Sequence, residues 1–109
     1  MSWWVAFALT QAIEMPVYWL GTRKDALEPG WRLVAMFGPS ALTHPMVWFG
    51  LRGLEPALGF WGYFAVAETF AVVAEALYLR AFGVASPWRL ALLANATSAG
   101  IGLLIHFVL

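Results

Sequence analysis

Long apolar stretches, separated by short polar connections, dominate the pattern of positions along this chain. Four of them stand out, at residues 3–20, 33–51, 57–79 and 90–109. Each is close to the roughly 20 residues that a helix needs to cross the hydrocarbon core of a bilayer at about 1.5 Å per residue. The pattern predicts an all-α integral membrane protein, in which one transmembrane domain forms a bundle of four helices.

The connections hold most of the charges and helix breakers. They run over residues 21–32, 52–56 and 80–89. The pair Ser86 and Pro87 is a typical helix start, with serine at the N-cap and proline in the first turn. The N-terminal stretch has neither a basic region nor a signal cleavage pattern, so we expect it to be retained as the first transmembrane helix.

Composition supports the membrane interpretation and argues against some classes of binding partner. Of the 109 residues, 62% are hydrophobic and 11% are charged, against roughly 45–50% and about 25% in soluble proteins. A soluble domain of this size buries only about two-thirds of its surface, so much of this apolar surface would meet water. Six basic residues balance six acidic ones, and there is no cysteine. These counts argue against nucleic acid as a partner and exclude disulfides and thiolate metal sites; the expected partner is the lipid bilayer.

The distribution of Lys and Arg predicts an orientation. Five of the six lie in the first and third connections, and one, Arg52, lies in the second. The positive-inside rule then places the first and third connections in the cytoplasm and both termini outside, as in a protein of the prokaryotic inner membrane. All seven tryptophans fall near predicted helix ends, where an interfacial aromatic belt is expected.

Polar residues inside the predicted helices are the candidates for function. A charged side chain at the bilayer centre costs at least about 2.5–3.5 kcal/mol, so we expect these residues to face other helices. Helical spacing allows this, because Glu68 and Glu75 are seven residues apart and Asn95 and Ser98 are three apart. The predicted ion, proton or substrate site consists of Glu14, His44, Glu68, Glu75, Asn95 and Ser98.

Neighbouring polar residues extend the same stripes. Gln11 and Tyr18 share a stripe with Glu14, and Ser40 lies four residues before His44. Estimated depths place Glu14, Glu75 and Asn95 in an inner layer, and His44 with Glu68 near the middle of the membrane.

Three functions fit this cluster. The first and favoured one is a small transporter or channel for cations or protons. The second is an intramembrane enzyme with a divalent metal ion as cofactor, bound by His44 and Glu68 with further glutamates, and a metal-bound water as nucleophile. The third is a non-catalytic subunit of a membrane complex, whose polar residues make hydrogen bonds between helices. No known catalytic motif assigns catalytic residues. Because four helices make a thin bundle, we also expect a homo-oligomer, most simply a homodimer.

Overall fold

The structure, a computed structural model, describes residues 2–25 and 27–108. These residues form four α-helices and one short 3₁₀ helix, and no strand occurs among them. In chain order they are α1 (Trp3–Gly21), α2 (Pro29–Phe49), the 3₁₀ helix (Leu51–Leu54), α3 (Glu55–Ala81) and α4 (Pro87–Val108). The prediction of an all-α chain is confirmed.

Two helices begin about one turn before the apolar stretches that predict them. α2 begins at Pro29 and α4 at Pro87. Proline suits the first turn because its N–H is not needed there and its φ is already helical. The start of α4 follows the Ser86–Pro87 pattern, whereas Pro29 was assigned to a connection. The predicted end of the fourth helix, Leu109, lies outside the described residues.

α3 is interrupted near its start. Gly59 has φ 73° and ψ 172°, a backbone conformation that side chains with a Cβ rarely adopt. The chain therefore changes direction at Gly59, and residues 60–81 form the long part of α3. The sequence predicted a single uninterrupted helix over 57–79, because glycine within an apolar stretch does not by itself reveal its φ.

The helices pack side by side in chain order. α1 contacts α2 and α4, and α3 contacts the same two helices. The first and third connections meet at one end, here called the loop end, where the Ala85 backbone N–H donates to the Asp25 carboxylate at 3.2 Å. At the opposite end, here called the terminal end, the Trp3 and Phe49 rings lie 5.8 Å apart. The molecule measures 43 × 24 × 20 Å.

Large apolar side chains cover much of the exterior, and several polar side chains are buried among apolar ones inside. Large apolar side chains such as Trp4, Phe49 and Val108 are 73%, 72% and 69% exposed. Six of the eleven buried apolar residues among those described are alanines, which allow helices to approach closely. The buried polar residues are Gln11, Glu14, Thr22, Ser40, Thr43, Glu75 and Asn95.

By length and hydropathy, two segments qualify to cross a membrane. One is Pro29–Ala81, which joins α2, the 3₁₀ helix and α3, and the other is Pro87–Val108. α1 contributes two buried polar side chains, Gln11 and Glu14.

An apolar core closes the interior at the loop end. It consists of Tyr18, Met36, Ala76, Leu79, Val84, Leu90, Ala91 and Ala94. Tyr18 and Leu79 are completely buried, so the helices pack closely where they meet the first and third connections. Space remains between the helices on the side toward the terminal end.

Candidate functional site

A cavity of about 340 Å³ lies between the four helices. It extends from the apolar core toward the terminal end, where His106 lines it and is exposed. All six residues of the predicted site line this cavity, namely Glu14, His44, Glu68, Glu75, Asn95 and Ser98. The polar stripes of the four helices therefore converge on one space.

Glu14 joins three helices through its carboxyl group. The side chain of Glu14, on α1, is 2% exposed. Its Oε1 accepts a hydrogen bond from Ser40 Oγ on α2 at 2.5 Å, and its Oε2 accepts one from Ser98 Oγ on α4. Both carboxyl oxygens thus have a hydroxyl donor from a different helix.

Glu75 is held in the same way from the opposite side. It lies on α3, is 1% exposed, and accepts hydrogen bonds from Tyr18 Oη at 2.6 Å and Thr43 Oγ1 at 2.9 Å. Tyr18 follows Glu14 by one helical turn on α1, which brings Glu75 close to Glu14. The Glu14 and Glu75 carboxyl groups lie within hydrogen-bonding distance of each other. We call these two residues the carboxyl pair.

Glu68 differs from the carboxyl pair. Its side chain is half-buried on the wall of the cavity. No hydroxyl or amide among residues 2–25 and 27–108 donates to its carboxyl group, and the acidic group that acts on it is Glu14. Glu68 therefore offers the cavity a carboxylate with free acceptor positions.

His44 and Asn95 have neighbours other than those expected of ligands. The His44 ring stacks on Trp48 with centroids 6.0 Å apart and also meets Phe7 at 5.6 Å. Its Nδ1 is buried and has no hydrogen-bond partner in the described part of the chain. Asn95 donates to the Ala91 carbonyl of its own helix at 2.8 Å.

The metal hypothesis gains no support from this arrangement. His44 and Glu68 line the same cavity, but the described residues contain no group of three or more His, Cys, Asp or Glu side chains that would hold a metal ion. The two Glu14 oxygens and the two Glu75 oxygens each already accept a hydroxyl donor. A divalent ion at His44 and Glu68 would lack the additional protein ligands that such ions usually take.

Several residues that line the cavity were not singled out by sequence reasoning. Thr43 is one, although it lies three residues after Ser40 and therefore on the same stripe of α2. Five more are aromatic side chains that lie toward the terminal end. They are Trp48, Phe60, Tyr63, Phe64 and His106.

Phe60, Phe64 and His106 form an aromatic group, linked through Phe60, at the terminal end of the cavity. Phe60 stacks on His106 with centroids 5.1 Å apart and planes 5° apart, and its ring lies 6.0 Å from that of Phe64. Phe60, Phe64 and Glu68 are spaced four residues apart, so they share one stripe of α3 that leads from the aromatic group to the acids.

The cavity can therefore hold a positively charged group at its acidic end and apolar surface at its aromatic end. Its lining includes three glutamates, and no lysine or arginine is among the described residues that line it. The chain matches no family model, no curated protein and no solved structure.

Proposed function

We propose that this protein is a small integral membrane transporter for cations, coupled to protons and built as a bundle of four transmembrane helices. The observation that carries the proposal is the Glu68 carboxylate, which faces the cavity without a hydrogen-bond partner in the described chain. An acidic group at this depth in a membrane protein typically marks an ion or proton pathway.

The membrane setting is supported by the polarity and the size of the molecule. Apolar side chains cover the exterior and hydrogen-bonded polar groups lie inside, which suits a lipid solvent. The long axis of 43 Å matches the roughly 40–45 Å of a bilayer with its headgroups. With the loop end in the cytoplasm, Arg32 stacks on Trp19 at 3.6 Å, as expected of residues that anchor a helix at the interface. The terminal end then faces the outside of a prokaryotic inner membrane.

The closed loop end and the accessible terminal end correspond to one state of a transport cycle. A cation enters from the terminal end and reaches Glu68, while the apolar core blocks passage to the loop end. Opening the loop end requires the helices to separate around Tyr18, whose hydroxyl donates to Glu75 of the carboxyl pair. Movement of the core and protonation of the carboxyl pair are therefore linked through one side chain.

The carboxyl pair is the proposed proton carrier. Neighbouring carboxylates repel each other, and a proton shared between the two groups relieves that repulsion, so the pair is suited to take up and release one proton. A cation bound at Glu68, beside Glu14, favours release of that proton because positive charge stabilises the ionised pair. This exchange couples cation entry to proton release.

Flux through proteoliposomes tests the proposal. Vesicles with a pH dye inside are exposed in turn to Na⁺, K⁺, Mg²⁺ and tetraethylammonium, and the proton flux caused by each cation is recorded. We expect at least one cation to drive proton flux, and Glu68→Gln to reduce that flux at least tenfold. Glu28→Gln is the control, since Glu28 is exposed at the start of α2 and far along the chain from the cavity lining.

The opposite outcomes separate the remaining hypotheses. Equal flux in the Glu68→Gln variant would remove Glu68 from the pathway. Absence of flux with every cation would contradict the transport proposal and favour a non-catalytic subunit, in which the carboxyl pair serves only to join helices. We also propose that the working unit is a homodimer, since a single thin bundle offers little protein around the cavity.

A further inference from the structure

The chemistry of the cavity changes along its length. Its deep part contains Glu14, Glu68 and Glu75, and its outer part contains four aromatic rings and the His106 imidazole. Aromatic faces carry a negative quadrupole and attract cations that are weakly hydrated. A cation that passes from the terminal end to Glu68 therefore meets aromatic faces before it meets carboxyl oxygens.

Inorganic cations match this lining poorly. Mg²⁺ and Ca²⁺ take six or more oxygen ligands, and no group of three or more His, Cys, Asp or Glu side chains among the described residues is arranged to hold a metal ion. The oxygens of the carboxyl pair are already occupied by four hydroxyl donors. Glu68 alone replaces one ligand of a hydrated ion, which leaves most of the lost hydration uncompensated.

An organic ammonium ion matches both halves of the cavity. Its charge is spread over alkyl groups, so it loses less hydration and makes contacts with aromatic faces as well as with a carboxylate. The volume of about 340 Å³ lies at the lower end of the range for small-molecule pockets, roughly 300–1,000 Å³. That space exceeds what a single dehydrated metal ion fills.

We infer that the cavity binds an organic ammonium ion, with its positive nitrogen beside Glu68 and its alkyl groups against Phe60, Tyr63 and Phe64. This inference rests on the proposed function and names the class of cation that is transported. Glu68 supplies the charge that attracts the ligand, and the aromatic rings distinguish an alkylated ammonium from Na⁺, K⁺ or Mg²⁺.

Calorimetric titration of the purified protein in detergent tests the inference. The probes are tetraethylammonium chloride, NaCl and MgCl₂, each titrated separately. We expect tetraethylammonium to bind and the two inorganic salts not to bind or compete at equal concentration. Glu68→Gln should weaken tetraethylammonium binding at least tenfold, because it removes the charge and keeps the size of the side chain.

A second pair of variants tests the aromatic wall without altering charge. Phe64→Leu removes an aromatic face from the cavity and should weaken binding about 2- to 30-fold, the range of a single cation–π contact. Phe70→Leu is the matched control, because Phe70 lies on the same helix but lines a groove on its outer face. That variant should bind tetraethylammonium like the unaltered protein, and unfolding midpoints in detergent verify that all variants are folded.

The outcomes distinguish this inference from the function on which it rests. Glu68-dependent binding of Na⁺ or Mg²⁺ without binding of tetraethylammonium would overturn the organic-cation assignment and leave cation transport standing. Equal losses in Phe64→Leu and Phe70→Leu would also overturn it, since the cavity wall would then have no special role. If no probe binds, and Glu68→Gln leaves the cation-driven proton flux in proteoliposomes unchanged, both proposals are wrong.

Discussion

Removing the hydroxyl groups that hold Glu75 is the most direct test of the polar interior. Tyr18→Phe keeps the aromatic ring and deletes the donor at 2.6 Å, and Thr43→Val keeps the shape and deletes the donor at 2.9 Å. Both residues and Glu75 are at most 3% exposed. Because each change conserves packing, the loss of stability reports on the hydrogen bond.

The expected magnitude follows from the burial of the acceptor. Hydrogen bonds between membrane helices contribute about 0.6 kcal/mol on average and about 1.7 kcal/mol at most. Because Glu75 is 1% exposed, we expect each single change to lower the free energy of unfolding by about 1–1.7 kcal/mol, the upper part of that range. Since the two donors share one carboxyl group, the double variant should differ from the sum of the single ones by at least about 0.5 kcal/mol.

Equilibrium unfolding in mixed detergent micelles provides the assay, with near-ultraviolet circular dichroism as the signal. Thr69→Val is the control, because the Thr69 hydroxyl is exposed and bonds the Ala65 carbonyl of its own helix. That variant should change stability by less than about 0.5 kcal/mol. If Tyr18→Phe and Thr43→Val cost no more than the control, or are strictly additive, Glu75 is not held as described.

Three further predictions concern packing, orientation and assembly. In α2, a Cβ at Gly38 would lie 1.9 Å from the Tyr78 hydroxyl, whereas a Cβ at Gly30 would have open space. Gly38→Ala should therefore lower the free energy of unfolding in detergent by about 1–3 kcal/mol, while Gly30→Ala should be neutral or stabilising. Equal effects of the two changes would contradict the packing of Gly38 against Tyr78. Cysteines placed at Ser2 and Lys24 should react with an impermeant reagent from opposite sides of the membrane, and labelling from one side would refute the orientation. Mass measurement in detergent should give two chains per particle, and a single chain at every concentration would exclude the homodimer.

The sequence was informative about the elements and about which polar residues share a face. Glu14 and Glu75 were assigned to one layer from their estimated depths, which rest on the predicted topology and the rise per residue of a helix, and both residues line the one cavity. This placement has a physical origin, because a strongly polar residue in an apolar helix has few favourable places other than the interior of the bundle.

What the sequence did not reveal depends on rotation and on backbone geometry. Thr43 was overlooked because a threonine in a helix most often bonds its own backbone, as Thr69 and Thr97 do. Trp48 was assigned to the interface, although it also lines the cavity. The turn at Gly59 depends on a positive φ that apolar periodicity does not encode. In each case the residue type allowed two placements, and tertiary packing selected between them.

If all four helices cross the membrane as proposed, the hydroxyl donors of Glu14 also impose an order on biogenesis. Ribosomes deliver α1 to the membrane first, yet Ser98, which completes the Glu14 carboxyl group, follows 84 residues later. Until α4 is inserted, Oε2 of Glu14 lacks the hydroxyl donor that α4 supplies, and lipid offers no substitute. A nascent chain arrested before residue 87 should therefore keep α1 at the insertion machinery or near water, and release it into lipid only when the final helix follows. Stable insertion of α1 therefore depends on the synthesis of α4.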